Sequence, residues 1–275
     1  MKVNVYLAGN YTHDMVLHAF AKGIPGEHDA TVQNVGFYEP SDLAVVFGIY
    51  KKAVPASFAR GEVIAKQKAA GKRVIVLETG YVNRGDKARN HFAAGFNGLN
   101  GWADFRNQHC TRNRWDKLGV ELKPWSLRGT HYILCGQVPW DASVQYVDML
   151  SWLENTAAKL RRISDRPIIY RPHPKAAIHP RSVTGCLTSY KALEEDLGTA
   201  YQVITYNSNA AVDAVIAGVP AVACGVGTMA AGVTGRVVEE PQFTPCRDTW
   251  AACLAYTQWT CAEMEEGLAW NHLFH

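Results

Sequence analysis

Residues 202 to 225 constrain the fold more than any other part of the chain. A short β-rich run, 202–205, leads into a polar turn and then into an apolar helical segment that ends at Gly218. A second β-rich run, 221–224, follows at once. Strand, helix and strand in this order form the repeating unit of a parallel α/β sheet, which binds ligands beyond the carboxyl ends of its strands. The polar turn supplies three candidate binding residues: Asn207, Ser208 and Asn209.

The same alternation of strands and helices occupies the N-terminal part of the chain. The predicted strands are 2–7, 30–35, 42–49 and 73–77, and the predicted helices are 15–22 and 57–70. Apolar runs such as 42–49 are typical of strands that are covered on both faces. We therefore expect an α/β protein with two α/β halves, at 1–128 and 129–245. Two helices, at 250–259 and 262–273, are expected to form a segment, 246–275, that packs back on the first domain.

Composition limits the class of protein. The 275 residues are 48% hydrophobic and 19% charged, which is enough to bury two cores of ordinary size. The seven cysteines are odd in number and show no CxxC spacing, so free thiols in a reducing compartment are expected rather than a metal site. No apolar run is long enough to span a membrane. The start, MKVNVY, reads as a strand rather than a signal peptide, which favours a cytoplasmic location.

A second polar turn follows the predicted strand 167–170. Two prolines stiffen it and hold three side chains that suit a diphosphate or a carboxylate: Arg171, His173 and Lys175. The alternative is a proline-rich surface loop without a ligand. Asp213 lies about one and a half helical turns after Ser208, where it could reach a ribose hydroxyl or could be an ordinary surface carboxylate.

The sequences RPHPK and TYNSNAAVDAVIAGVPAVACG resemble the C-terminal half of GT-B glycosyltransferases. The similarity covers about 131–240 and is greatest to the capsular-polysaccharide and Kdo transferases and the CDP-glycerol transferases. It implies two Rossmann-like domains facing a cleft and a nucleotide-sugar co-substrate, with a UDP-sugar favoured. It also implies that the diphosphate lies near Ser208 and Asn209, the ribose near Asp213, and Gln137 at the cleft. The N-terminal half matches in architecture alone, and the chain is shorter than the capsule enzymes.

The chemistry of such an enzyme needs two further parts. Cationic side chains and helix N–H groups stabilise the departing diphosphate, and because no DxD motif is present, no metal or other cofactor is expected. An inverting enzyme also needs a carboxylate that deprotonates the acceptor hydroxyl. The N-terminal half offers three candidates: Asp14, Glu78 and Asp104. Each could instead be structural, as a helix cap, an ion-pair partner and a turn residue respectively.

Residues 81–128 break the alternating pattern and are rich in glycine, asparagine, arginine and aromatic residues. Charge for phosphates and rings for bases are typical of nucleic-acid binding. The candidate acceptor-binding residues are Arg84, Arg89, Arg106, Arg112 and Arg114. The alternative is a loop-rich packing segment with a solvated basic surface.

Three functions remain open from the sequence. The segment 81–128 resembles phage-encoded proteins of this size, which favours transfer of a sugar to a hydroxymethylated pyrimidine in double-stranded DNA, in the host cytoplasm. A second hypothesis keeps the glycosyltransferase but makes a surface or capsular polysaccharide the acceptor. A third is a sugar-nucleotide-binding protein without catalysis.

Overall fold

The computed structural model describes residues 1–34, 37–52, 54, 57–84, 90–174 and 182–275. The chain divides into unit 1, Met1–Leu118 with Ala251–His275, and unit 2, Gly119–Trp250. The boundaries therefore lie at 118/119 and 250/251 instead of the predicted 128/129 and 245/246. The first boundary lies earlier than predicted because residues after 118 form hydrogen bonds within unit 2. The N–H of Lys123, for example, donates to the carbonyl of Ile216 at 3.0 Å.

Unit 1 contains a six-stranded sheet. Its strands are β1 (Lys2–Tyr6), β2 (Asp29–Gln33), β3 (Leu43–Phe47), β4 (Arg73–Thr79), β5 (Phe92–Phe96) and β11 (Gln258–Trp259). They lie in the order β11-β5-β4-β3-β1-β2. The four strands β4, β3, β1 and β2 are parallel, whereas β5 is antiparallel to β4 and β11 is antiparallel to β5. Because β2 and β3 lie on opposite sides of β1, the carboxyl ends of β1 and β3 form a topological switch point.

The helices of unit 1 are α1 (Tyr11–Lys22), α2 (Phe58–Ala69), α3 (Asn113–Leu118), α8 (Cys261–Glu265) and α9 (Leu268–Phe274), and α7 (Asp248–Ala255) crosses the boundary between the units. Helix α1 begins earlier than the predicted residue 15. The side chain of Asn10 accepts from the backbone N–H of Thr12 and His13, which is the usual capping arrangement for a helix start.

The segment 81–118 is folded onto the sheet where it is described. It contains β5, a short 3-10 helix (Asn100–Trp102) and α3. Positive φ angles at Asn97 and Asn100 produce the tight turns predicted for this stretch. The prediction of an irregular segment was wrong for β5, whose backbone is paired with β4 along its whole length.

The C-terminal residues of unit 1 complete its core. Helix α8 packs against α1, and Met264 and Trp270 are buried in the same cluster as Phe20. A salt bridge of 2.6 Å joins Lys22 and Glu265 on the surface above them. The predicted helix over 250–259 was wrong at its end, because Trp259 lies on β11 beside β5.

Unit 2 contains a second sheet, which is wholly parallel. Its strands are β6 (His131–Cys135), β7 (Ile168–Arg171), β8 (Leu187–Thr188), β9 (Ala200–Thr205) and β10 (Ala221–Ala223), in the order β10-β9-β6-β7-β8. Its helices are α4 (Met149–Ile163), α5 (Leu193–Leu197) and α6 (Ala210–Ile216). The switch point of this sheet lies between the carboxyl ends of β6 and β9. No helix in the described part of either unit is long and apolar enough to span a membrane.

Candidate active site

Two side chains meet at the switch point of unit 2. Gln137 follows β6 and Asn207 follows β9, and both are buried. The amide of Gln137 donates to Oδ1 of Asn207 at 2.8 Å, and the backbone N–H of Asn207 donates to Oε1 of Gln137 at 2.9 Å. Because buried amides are costly to leave unpaired, this exchange fixes the turn after β9 in one conformation.

The turn itself is held by further hydrogen bonds. The amide of Asn207 donates to the carbonyls of Ser143 and Val226, at 3.1 and 3.0 Å. The N–H of Ser208 donates to the hydroxyl of Thr205 at 3.0 Å, and the hydroxyl of Ser208 accepts from the N–H of Ala210 at 3.2 Å. Asn209 is the cap residue of α6, but its side chain makes no capping bond. Ser208 and Asn209 therefore sit at the edge of the sheet on a turn whose shape is set by its neighbours.

Arg171 is held by groups of its own unit. It ends β7, and its guanidinium forms an ion pair with Asp196 in which both side chains are nearly buried. It also donates to the carbonyl of Lys191 at 2.6 Å. A buried guanidinium with these partners positions the segment around α5, so the predicted direct contact with a ligand stays a prediction.

Burial and charged side chains near the carboxyl end of β6 shift the pKa of one thiol, that of Cys135. Burial raises the pKa of Cys135 to about 12, the cation of Arg171 opposes this, and the carboxylates of Asp213 and Asp196 add to it. Asp213 on α6 thus lies near the switch point, as the proposed ribose contact requires. His173 is partly exposed in the loop after β7, and Lys175 lies outside the described residues.

Unit 1 presents charged groups at its own switch point. Asp14 lies in the first turn of α1, and its Oδ1 accepts from the N–H of Ala8 at 2.6 Å, just beyond β1. Glu78 lies near the carboxyl end of β4, and its Oε1 accepts from the N–H of Thr79 at 2.9 Å. The structure therefore brings two of the three predicted carboxylates to the same edge of the same sheet.

Two residues that the sequence did not single out complete this edge. The ring of His13 stacks on Phe47, the last residue of β3, with centroids 4.0 Å apart. Arg60 on α2 donates to the carbonyl of Phe47 at 2.8 Å. Burial lowers the pKa of Arg60, and the charge of Glu78 opposes that effect, which places the two groups in one electrostatic neighbourhood.

Gly48 leaves the space between these charges open. It has a φ of +69°, and a Cβ there would lie 3.5 Å from the Glu78 carboxylate and 3.6 Å from the Arg60 guanidinium. His13 follows β1 in the sequence and Arg60 follows β3. A parallel sheet brings the residues after such strands to one edge, and this position was the only sequence signal that could have identified His13 and Arg60 as site residues.

Asp104 lies at the other end of the sheet. It pairs with Phe96, and Phe96 is opposite Ile75, near the start of β4, whereas Glu78 is opposite Ala93. Its carboxylate forms a 3.1 Å salt bridge with Arg106. The third candidate base, Asp104, therefore lies away from Glu78, because the antiparallel strand β5 carries it to the amino ends of the parallel strands.

The four predicted acceptor arginines that the structure describes do not form one patch. Arg84 follows the carboxyl end of β4 and donates to the carbonyl of Tyr81 at 2.6 Å. Arg106 lies beside Asp104 at the amino end of the sheet. Arg112 forms an exposed 3.1 Å salt bridge with Asp116 on α3. Arg89 lies outside the described residues.

Arg114 is part of the interior of unit 1. Its guanidinium forms a salt bridge with Glu263 at 2.7 Å, donates to the carbonyls of Ala255 and Gln258, and lies 3.8 Å from the ring of Trp259. These contacts tie α3 to the C-terminal segment. The prediction that Arg114 binds an acceptor is wrong, because its cation is used inside the unit.

No family model and no curated protein matches the sequence. Two solved structures from Thermosulfurimonas dismutans are similar to the whole chain. The KpsC β-Kdo 2,7 transferase is 14% identical over 98% of both chains, with a TM-score of 0.62. The KpsC β-Kdo 2,4 transferase is 14% identical over 92% of this chain and 90% of its own, with a TM-score of 0.63.

The fold is that of the GT-B glycosyltransferases. At this identity the likeness concerns the fold alone, and it confirms the predicted α/β class with two Rossmann-like domains. Among the described residues no group of three or more His, Cys, Asp or Glu side chains could hold a metal ion.

Proposed function

We propose that the protein is a glycosyltransferase that moves a sugar from a nucleotide-sugar, with a UDP-sugar favoured, to a hydroxyl group of a carbohydrate acceptor. The observation that carries the proposal is the fixed polar turn at the switch point of unit 2, on a GT-B fold. The two similar structures are Kdo transferases, which supports a transferase of the same general kind.

Unit 2 is proposed to bind the donor. Ser208 and Asn209 lie where a diphosphate would meet the edge of the sheet, and the bonds between Gln137 and Asn207 hold them there. Asp213 is proposed to accept from the ribose, and His173 and Lys175 to add positive charge for the departing diphosphate. Arg171 is proposed as a positioning residue, because its cation already pairs with Asp196. No metal or cofactor is proposed.

Unit 1 is proposed to supply the base. Glu78 is the first candidate, because Gly48 leaves room beside its carboxylate and the Arg60 guanidinium lies in the same electrostatic neighbourhood. Asp14 is the second, because one of its oxygens is already committed to the N–H of Ala8. A carboxylate at this edge would take the proton from the acceptor hydroxyl as the sugar is transferred.

A carbohydrate acceptor is favoured over DNA because of the arginines in 81–118. Arg106 and Arg112 are neutralised by neighbouring carboxylates, and Arg114 is buried. A DNA-binding surface needs several cations that are available for phosphates on one face. In the described part of 81–118, these arginines instead form their contacts within unit 1.

The experiment that tests the function is mass spectrometry of acceptors after incubation with the protein and a set of activated sugars. The donors would include UDP-glucose, UDP-N-acetylglucosamine and an activated Kdo. The acceptors would be capsular oligosaccharides and duplex DNA containing hydroxymethylcytosine or hydroxymethyluracil.

We expect a mass increase of one sugar on an oligosaccharide. Transfer to DNA would overturn the proposed acceptor while keeping the enzyme class. Donor binding without transfer to any acceptor would favour a sugar-nucleotide-binding protein. Absence of donor binding would overturn the proposal as a whole.

A further inference from the structure

Helix α4 of unit 2 exposes a stripe of side chains that the proposed reaction does not use. Leu153, Ala157 and Leu160 form its buried face. Trp152, Asn155 and Lys159 lie beside that face at spacings of three, four and seven residues, so they point to one side of the helix. One aromatic ring, one amide and one cation thus share one surface.

A cavity of about 280 Å³ lies between this stripe and the edge of the sheet. Its other wall is formed by Cys224, just after β10, and by residues 236–239. Gly235 pairs with Val222 in a parallel bridge, which carries 236–239 alongside the sheet. The volume is close to the lower end of the range of about 300–1,000 Å³ for small-molecule sites.

The charges that line the cavity are not balanced. Lys159 and Glu239 both line the cavity and form a salt bridge of 3.0 Å with each other. Arg236 also lines the cavity, is exposed, and has no ion pair or hydrogen bond within the described ranges 1–34, 37–52, 54, 57–84, 90–174 and 182–275. Two cations against one carboxylate favour an anionic ligand, and a guanidinium is well shaped for a carboxylate or a phosphate.

The aromatic wall of the cavity adjoins the turn proposed to bind the donor. The ring of Trp152 meets Tyr206 edge to face, with centroids 5.7 Å apart. Tyr206 directly precedes Asn207, and Gly225 lies so close to the ring of Tyr206 that a Cβ there would overlap it. Trp152 is therefore held in place and offers a fixed apolar surface for a ring.

We propose that this cavity is a second binding site, separate from the switch point, for a small organic anion of the size of an acidic monosaccharide. Arg236 binds the carboxylate, Trp152 packs against the apolar face of the sugar ring, and the amide of Asn155 bonds to a ring hydroxyl. Binding of this ligand does not involve the turn after β9 or Asp213, which are proposed to bind the nucleotide-sugar.

Isothermal titration of the full chain with sodium glucuronate tests the site. We expect saturable binding of glucuronate, and binding at least about ten times weaker for glucose, which lacks the charge, and for inorganic phosphate, which lacks the ring. Absence of saturable glucuronate binding would overturn the proposal. Equal binding of phosphate would overturn the role of Trp152, and equal binding of glucose that of Arg236.

Two variants locate the site. Arg236→Gln and Trp152→Leu should each weaken glucuronate binding at least about tenfold, whereas Arg128→Gln, another exposed arginine of unit 2, should leave it unchanged. Unchanged affinity in Arg236→Gln, which alters an exposed side chain, would overturn the proposal.

A chemical readout is independent of the variants. Cys224 lines the cavity, and burial raises the pKa of its thiol to about 11. Glucuronate should slow the alkylation of Cys224, measured by peptide mass spectrometry, without slowing that of the exposed Cys246. Equal protection of both thiols, or of neither, would count against the site.

Discussion

The two sheets have the same switch-point topology but place different chemistry there. In unit 2 the groups that hold the turn at the switch point are neutral amides and hydroxyls, which form hydrogen bonds with each other. In unit 1 the groups at the switch point are carboxylates, a guanidinium and an imidazole, gathered around a glycine. One sheet topology thus presents hydrogen-bonded neutral groups in one unit and charged groups in the other.

The groups at the two switch points suit different parts of the proposed reaction. A donor that must be held for transfer needs groups that do not rearrange, which hydrogen-bonded amides provide. Proton removal needs an ionisable group, which amides cannot provide. Substitutions at the switch point of unit 1 should therefore change turnover, and substitutions at the switch point of unit 2 should change donor binding.

The largest effect is expected for Glu78→Gln. The loss of a general base costs about 10²–10⁴-fold in rate, so turnover with donor and acceptor should fall by this amount. Asp104→Asn is the matched control, because Asp104 lies at the amino end of the sheet, and it should keep its rate. Near-normal turnover of Glu78→Gln would move the role to Asp14.

Arg114→Met should destabilise unit 1 by about 3–5 kcal/mol, because it leaves the carboxylate of Glu263 without its cation in a partly buried place. Arg112→Met removes an exposed pair and should cost less than about 1 kcal/mol. Denaturant unfolding measures both. Equal losses of unfolding free energy in the two variants would mean that Arg114 does not tie α3 to the C-terminal segment of unit 1.

The same pair predicts a dependence of stability on pH. Burial alone would raise the pKa of Glu263, but hydrogen bonds from Arg114 and from the N–H of Thr260 lower it overall. Since the folded state binds this proton less tightly than the unfolded state, the stabilisation is complete above about pH 4.5 and is lost as the pH falls through the lowered value. Thermal unfolding should show a smaller acid-induced loss in Glu263→Gln than in the wild type.

A smaller effect is expected for Gly48→Ala. A non-glycine residue in the left-handed region costs about 1–2 kcal/mol, although the space around this Cβ is sufficient. Gly26→Ala is the control, because Gly26 has no neighbour within 4 Å and no positive φ. If both variants unfold at the same temperature, the left-handed backbone at position 48 does not require glycine.

The sequence predicted the parallel α/β parts well, because long apolar runs and turn residues are local signals. Strand β6 has the predicted bounds. The strand β5 was missed because FAAGF has no alternation, and its pairing with β4 is a tertiary effect. Strand β11 is two residues long, too short for any periodicity.

The candidate site was only partly predictable for a similar reason. Asn207 and Gln137 follow predicted strands, so the topology brings them together. The sequence around Arg114 is a basic run, which predicts an exposed side chain. Its burial depends instead on a distant part of the chain, because it donates to the carbonyl of Gln258, 144 residues away in sequence. Local pattern carries no information on such a contact.

The proposed roles of the two units can be separated by measuring the affinity for a UDP-sugar, by isothermal titration calorimetry, in three proteins. The wild type should bind the donor saturably. Asn207→Ala should bind it about 5- to 150-fold more weakly, since loss of the hydrogen bonds that hold the turn costs about 1–3 kcal/mol, which corresponds to this range. Glu78→Gln should bind it within about twofold of the wild type. Wild-type affinity in Asn207→Ala, or a large loss in Glu78→Gln, would contradict the division of roles between the two units.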